Sequence, residues 1–240
     1  MQPTMASHDD PSASTGLLPI HVVLPLRTVS GGKARLGGAL DAEEREELVL
    51  GMLLQTVAVL GRWPLCRRIH LVSPDPVVDA TTRQAGVEVT VHRQRGEGLN
   101  EGIGQGVAAA LAEGAASVLI LPSDLPYLSV EALDELILAA DAGLAAAAGG
   151  PLLAIAPSDA RSGTNALLLR PPDVIEPAFG VDSFEAHLRA AAAADAAVQV
   201  VGDARLGFDL DTPDDLERLD PARLRELMAL GRTAADQVGV

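Results

Sequence analysis

Short aliphatic runs alternate with stretches of helical periodicity along almost the whole chain, and this alternation limits the fold more than any other feature. Residues 21–26 (HVVLPL) read as a first strand, 69–73 as a second, 87–92 as a third and 117–121 (SVLIL) as a fourth. Further strands are expected at 151–156, 166–170 and 198–201. Helical patterns lie between them. The segment 41–60 opens with Asp41 and Glu44 at capping-box spacing. Leu99, Ile103, Val107 and Leu111 recur every four positions and mark one helical face. Ser129 caps a helix with Val130, Leu133, Ile137 and Ala140 on one side. Asp182 with Glu185 opens another helix, and Thr212, Pro213 and Asp215 supply a cap, a proline at the first helical position and an acid at the third. Two short helices are expected to close the chain. Aliphatic strands separated by helices predict a three-layer α/β/α domain with a mostly parallel mixed sheet.

The 240 residues suit one such domain. Residues 1–16 (MQPTMASHDDPSASTG) lack the basic start and apolar stretch of a signal peptide and read as a disordered tail before a single domain at 17–240. Aromatic residues make up 2 %, so the core must be built from Leu, Val, Ile and Ala. A formal net charge of −15 argues against binding bulk nucleic acid or anionic membranes. No apolar run reaches the ~18 residues of a membrane-spanning helix. The lone Cys66 rules out an intramolecular disulfide and a Cys-rich zinc site, and suits a reducing cytoplasm. The five histidines are scattered without metal spacing.

Four constellations carry the chemistry. After the first strand, Arg27, Lys33 and Arg35 share a loop with Gly31, Gly32, Gly37 and Gly38, and no acid occurs between Pro11 and Leu40. A local positive pocket with approachable backbone amides suits a polyphosphate; a mobile surface loop is the alternative. A Walker A motif is excluded by Arg27 and Ala34. Asp124 follows the fourth strand between Pro122 and Pro126, at the edge where open α/β sheets bind ligands, as a Mg²⁺ ligand or a cap of the next turn. In 208–216 (FDLDTPDDL), Asp209 and Asp211 are expected to point to opposite sides, so that one of them, Asp209, faces the same metal as Asp124. The alternative there is a solvated acidic turn with a capping box. Gly180 and Ser183 flank a helix start near Thr164 and Asn165, either an anion site for phosphate or carboxylate or a plain cap.

In this order the motifs resemble the CofC/FbiD family, guanylyltransferases of coenzyme F-420 biosynthesis. The resemblance rests on Arg27 with Lys33–Leu36, Gly98-Leu99-Asn100, Leu121–Pro126, Gly163-Thr164-Asn165-Ala166-Leu167, Phe179-Gly180 with Ser183, Phe184 and His187, and Asp209–Pro213. Arg27 and Ala34 depart from the family's usual Lys and Ser. The resemblance implies a nucleotidyltransferase of glycosyltransferase-A-like architecture that joins GMP from GTP to phosphoenolpyruvate, 2-phospho-L-lactate or 3-phospho-D-glycerate. It implies Mg²⁺ on Asp124 and the Asp209/Asp211 segment, and acceptor phosphate on Thr164, Gly180 and Ser183. Nucleotide contacts fall on Arg27, Gly31, Gly32, Lys33, Gly98 and Asn100. Lys33 and Arg35 would balance charge on the leaving pyrophosphate, and a downstream transferase would consume the labile product. An inactive nucleotide-binding paralogue is the reading of another class.

Overall fold

The computed structural model describes residues 16–83 and 88–238. Residues 1–15 of the tail expected at 1–16, and the start of the expected third strand at Val87, lie outside the described residues. Strand β1 (Ile20–Pro25), helix α1 (Ala42–Arg62), β2 (Cys66–Ser73), α2 (Val77–Arg83), β3 (Val89–Arg93), α3 (Leu99–Ala112) and β4 (Ser117–Ile120) form the first half. Helix α4 (Val130–Ala146), β5 (Leu152–Pro157), β6 (Thr164–Arg170), α5 (Ser183–Ala193), β7 (Ala197–Val200), α6 (Ala204–Gly207), α7 (Pro213–Arg218) and α8 (Pro221–Val238) complete the chain.

The seven strands make one sheet in the order β3-β2-β1-β4-β6-β5-β7. Every pairing is parallel except those of β6 with β4 and β5. The central strands β1, β4, β5 and β6 are buried on both faces, which is why they are mostly aliphatic. Val22 and Leu24 of β1 face a core shared with Leu50, Leu53 and Val57 of α1 and Leu133 and Leu136 of α4. Val23 faces the opposite core with Ile103 and Val107 of α3 and Phe184 of α5. The architecture is a three-layer α/β/α fold around a mixed, mostly parallel sheet.

The capping signals hold locally. Asp41 accepts from the Glu44 amide while Glu44 reaches back, and Thr212 and Asp215 form the second capping box, with Pro213 at the helix start. Asp182 behaves differently. It precedes α5 as expected, but with φ 57° its side chain makes no cap hydrogen bond. Two helices were not legible. Helix α2 is rich in Val and Thr; Thr81 and Thr82 bond back to the carbonyls of Val77 and Val78, and the burial of Val78 holds the turn against its weak propensity. Helix α6 is a single turn capped by Asp203. The closing helix α8 has 18 residues rather than being short. Gly231 is a contact point with α1: a Cβ there would lie 1.7 Å from the Glu47 carbonyl oxygen. Arg232 then pairs with the buried Glu47 carboxylate at 2.9 Å.

Candidate active site

Strand β1 lies between β2 and β4, so successive connections leave it in opposite directions and open a crevice at the C-terminal strand ends. Because β6 is antiparallel, its first residues, Thr164 and Asn165, arrive at that same edge. The resulting cleft has a volume of about 1120 Å³ and draws its lining from the loop after β1, the turn after β4, the loop after β5, the start of α5 and the segment before α7.

The loop after β1 is anchored. Val29 and Leu36 are buried, the Val29 amide donates to Asp75 Oδ2 at 2.9 Å, and the Gly32 amide closes a turn on the Val29 carbonyl at 3.1 Å. Gly31 takes φ 73°, a conformation that favours glycine. Lys33 itself adopts φ 50° and aims its ammonium into the cleft, where Nζ donates to Asp124 Oδ2 at 2.7 Å and to Asp211 Oδ1. Burial acts to lower the Lys33 pKa, but the two carboxylates, Asp124 first, outweigh it and hold the group above its ordinary value. Arg27 and Arg35 are exposed and line the same cleft with Gly31 and Gly32.

Asp209 and Asp211 do not point apart. Both line the cleft, and Leu210 between them is fully buried on the other side. Residues two apart on extended backbone share a face, so the expectation of opposite sides is corrected. The Leu210 amide donates to the Asp124 carbonyl at 3.1 Å and brings the segment beside the turn after β4. Burial and then the neighbouring Asp124 charge push the Asp209 carboxyl above the usual carboxylate range, against a stabilising hydrogen bond from Asn165 Nδ2. The donors that Asp124, Asp209 and Asp211 bring to the cleft are hard carboxylate oxygens. This set fits Mg²⁺.

At the opposite wall Ser183 does not cap α5; its hydroxyl donates to Thr164 Oγ1 at 3.3 Å. Gly180 takes φ 133°, and beyond its own residue and its two chain neighbours no atom lies within 4 Å of where its Cβ would be. Asn100 and Gly98 are the predicted residues that do not line the cleft, although Leu99 between them does. Asn100 clamps the Phe179 backbone at both ends, Oδ1 accepting from its N–H at 2.7 Å and Nδ2 donating to its carbonyl at 3.0 Å. Its place is behind the Gly180 turn. Gly98 sits at φ 99° before α3.

Residues 20–220 match the family model described as guanylyl transferase CofC like. The chain belongs to this CofC-like family. It is 43 % identical over 201 residues to the phosphoenolpyruvate guanylyltransferase of Rubrobacter xylanophilus, covering 84 % of this chain and 93 % of that protein. It is 38 % identical to the protein of the same name from Sphaerobacter thermophilus, covering 82 % and 90 %. Among solved structures, a putative nucleotide-diphospho-sugar transferase from Desulfovibrio desulfuricans G20 superposes with TM-score 0.68 at 19 % identity, over 90 % of this chain and 98 % of that one.

In this CofC-like chain one cleft residue, Arg218, had no signal in the sequence. Arg218 of α7 lies 4.8 Å over the Phe208 ring and pairs with Asp159 at 2.7 Å, tying α7 to the loop after β5. Nothing in its spacing marks it. Asn165 holds the carbonyls of Leu206 and Gly207 besides Asp209, and so carries the acidic segment to the sheet edge. Three of the five histidines come together in space. His21, His70 and His92 form a stacked ladder across β1, β2 and β3 with ring nitrogens 3.0 Å apart at each step, and ligand-type atoms of His21, His70 and Glu113 gather within 4.8 Å of one another. None of these lines the cleft. Among the described residues, no helix is long and apolar enough to cross a membrane.

Proposed function

We propose that this protein transfers GMP from GTP to phosphoenolpyruvate, releasing pyrophosphate and forming enolpyruvyl-diphospho-5'-guanosine for coenzyme F-420 biosynthesis in the cytoplasm. The observation that carries this reading is one cleft holding two separate anion-handling walls. The glycine loop with Lys33 stands on one side and the Thr164, Gly180 and Ser183 wall on the other, with Asp124, Asp209 and Asp211 also lining the cleft. The names of the relatives in Rubrobacter and Sphaerobacter support the acceptor.

In this reading Gly31, Gly32, Arg27 and Lys33 receive the triphosphate, and residues 17–240 act as one catalytic domain. Asn100 serves by holding Phe179, and with it the Gly180 turn, against the acceptor. An oxygen of the acceptor phosphate forms a bond to the α-phosphorus as the bond to the pyrophosphate oxygen breaks. No general base is required, because a phosphate monoester is already ionised at neutral pH. The barrier is then one of bringing two anions together in line, which positioned cations lower. Lys33 and Arg35 balance charge on the departing pyrophosphate. Asp124, Asp209 and Asp211 would hold Mg²⁺, which supplies charge neutralisation at phosphate oxygens.

The test is pyrophosphate release with Mg²⁺, four nucleotides and three phosphorylated acids, with the downstream transferase present to consume the product. GTP with phosphoenolpyruvate should be the most active pair. Silence across the whole screen by folded protein would point to an inactive nucleotide-binding paralogue.

A further inference from the structure

His187 follows Ser183 by one turn of α5 and is fully buried. Both of its ring nitrogens are engaged. Nε2 lies 2.9 Å from the Ala178 backbone nitrogen, and since an amide N–H can only donate, Nε2 is the unprotonated acceptor. Burial pushes the ring's pKa down to about 4, so near neutral pH it carries one proton, and that proton sits on Nδ1. Nδ1–H therefore donates to Thr164 Oγ1 at 3.0 Å. Ser183 Oγ stands 3.3 Å from the same oxygen. The two hydroxyls own two protons. One fills the gap between them, whichever oxygen bears it. The Thr164 oxygen already accepts from the ring, so the other proton points away from His187. Both hydroxyl residues line the cleft.

We infer that His187 is a positioning residue that sets the polarity of the Thr164–Ser183 pair, so that the pair presents an O–H donor to an anionic oxygen of the acceptor. A donor oriented before the ligand arrives costs no reorganisation on binding. It favours ligand atoms that only accept, as phosphate and carboxylate oxygens do. The inference rests on the acceptor wall assigned under the proposed function. His187 does not itself line the cleft.

The experiment is a variant set read as separate KM values for phosphoenolpyruvate and GTP. In His187→Asn the amide nitrogen takes the place of Nδ1 and keeps the donor to Thr164. In His187→Gln the longer amide reaches the Nε2 place and serves Ala178 while losing that donor. His187→Gln should raise the KM for phosphoenolpyruvate about tenfold, on the scale of a hydrogen bond to a charged group, and leave that for GTP unchanged. His187→Asn should recover most of the loss. In a Thr164→Val background, which removes the hydroxyl between ring and ligand, His187→Gln should add nothing. Full additivity there, or Gln and Asn variants that lower Tm alike with the KM for phosphoenolpyruvate unmoved, would reduce His187 to core filling. Where wild type turns over no acid, the functional reading fails on its own, and the same cycle is read as the Kd for phosphoenolpyruvate by calorimetry. Should the His187 variants not fold, the ¹⁵N spectrum of the wild-type ring decides: an Nδ1–H tautomer is expected, and an Nε2–H tautomer overturns the inference.

Discussion

Lys33 Nζ donates to Asp124 Oδ2 at 2.7 Å across 91 residues of chain, clamping the glycine loop onto the turn after β4. The same ammonium reaches Asp211, so one cation bridges two of the cleft aspartates. Lys33→Ala should lower turnover by on the order of a hundredfold, the scale for losing one key electrostatic group. It should also lower Tm in metal-free buffer, with recovery on adding Mg²⁺, because the two carboxylates lose their shared counter-charge. A variant with wild-type turnover would remove Lys33 from the mechanism.

Asp209 and Asp211 share a face, so neither is spared. Asp124→Asn, Asp209→Asn and Asp211→Asn should each reduce turnover by about a hundredfold or more, measured as pyrophosphate release. Wild-type rates in Asp211→Asn would show that its contact with Lys33 is dispensable and leave Asp209 as the acid of this segment that matters.

Gly180 is held at φ 133° with open space where its Cβ would stand. A Cβ there meets no atom beyond its chain neighbours, so the effects of a substitution come from backbone strain and from the room taken from a ligand. Gly180→Val should raise the KM for phosphoenolpyruvate far more than that for GTP, with folding checked by circular dichroism. The reverse bias would exchange the two walls of the cleft.

Gly51 is a packing point between α1 and α8: a Cβ would lie 1.9 Å from the Leu227 carbonyl oxygen. Backbone cannot move aside as a flexible side chain does. Gly51→Ala should therefore cost about 1–3 kcal/mol. Tm should fall by about 2–4 °C for each kcal/mol in a chain of this size. An unchanged Tm would mean that α8 slides along α1 without penalty.

The histidine ladder predicts acid sensitivity. Burial holds His70 down to about 4 from its ordinary 6.5, with the nearby Glu113 carboxylate opposing. Burial likewise lowers His21 and His92. Below 6.5 the unfolded chain takes up protons that the folded state refuses, so stability present above that pH is lost as pH falls toward 4. Tm measured from pH 7.5 to 5 should decline, and His70→Gln should flatten that decline. An equally steep profile in the variant would assign it to other groups.

Much of this protein was determined by local sequence. Alternating aliphatic runs set the layered α/β fold because parallel strands buried on both faces exclude polar residues. Asp41 with Glu44, and Thr212 with Asp215, mark helix starts because a cap needs only neighbours three residues apart. The cations, glycines and aspartates of the cleft stand out for a similar reason, since charge and backbone freedom are properties of single residues. What only the tertiary structure decided involves partners distant in sequence. Asn165 reaching the 206–209 carbonyls and carboxylate, Asn100 gripping Phe179, and Arg218 pairing with Asp159 are contacts made by chain crossings at the sheet edge. The histidines of β1, β2 and β3 stack because parallel pairing sets His70 diagonal to His21 and His92 on one face of the sheet. The close approach of α8 to α1 is set where Gly231 meets the Glu47 backbone, and the direction of the protons on Thr164 and Ser183 by a buried ring one helical turn away. Such contacts leave no periodic trace along the chain, because the residues that make them are brought together by the packing of other segments.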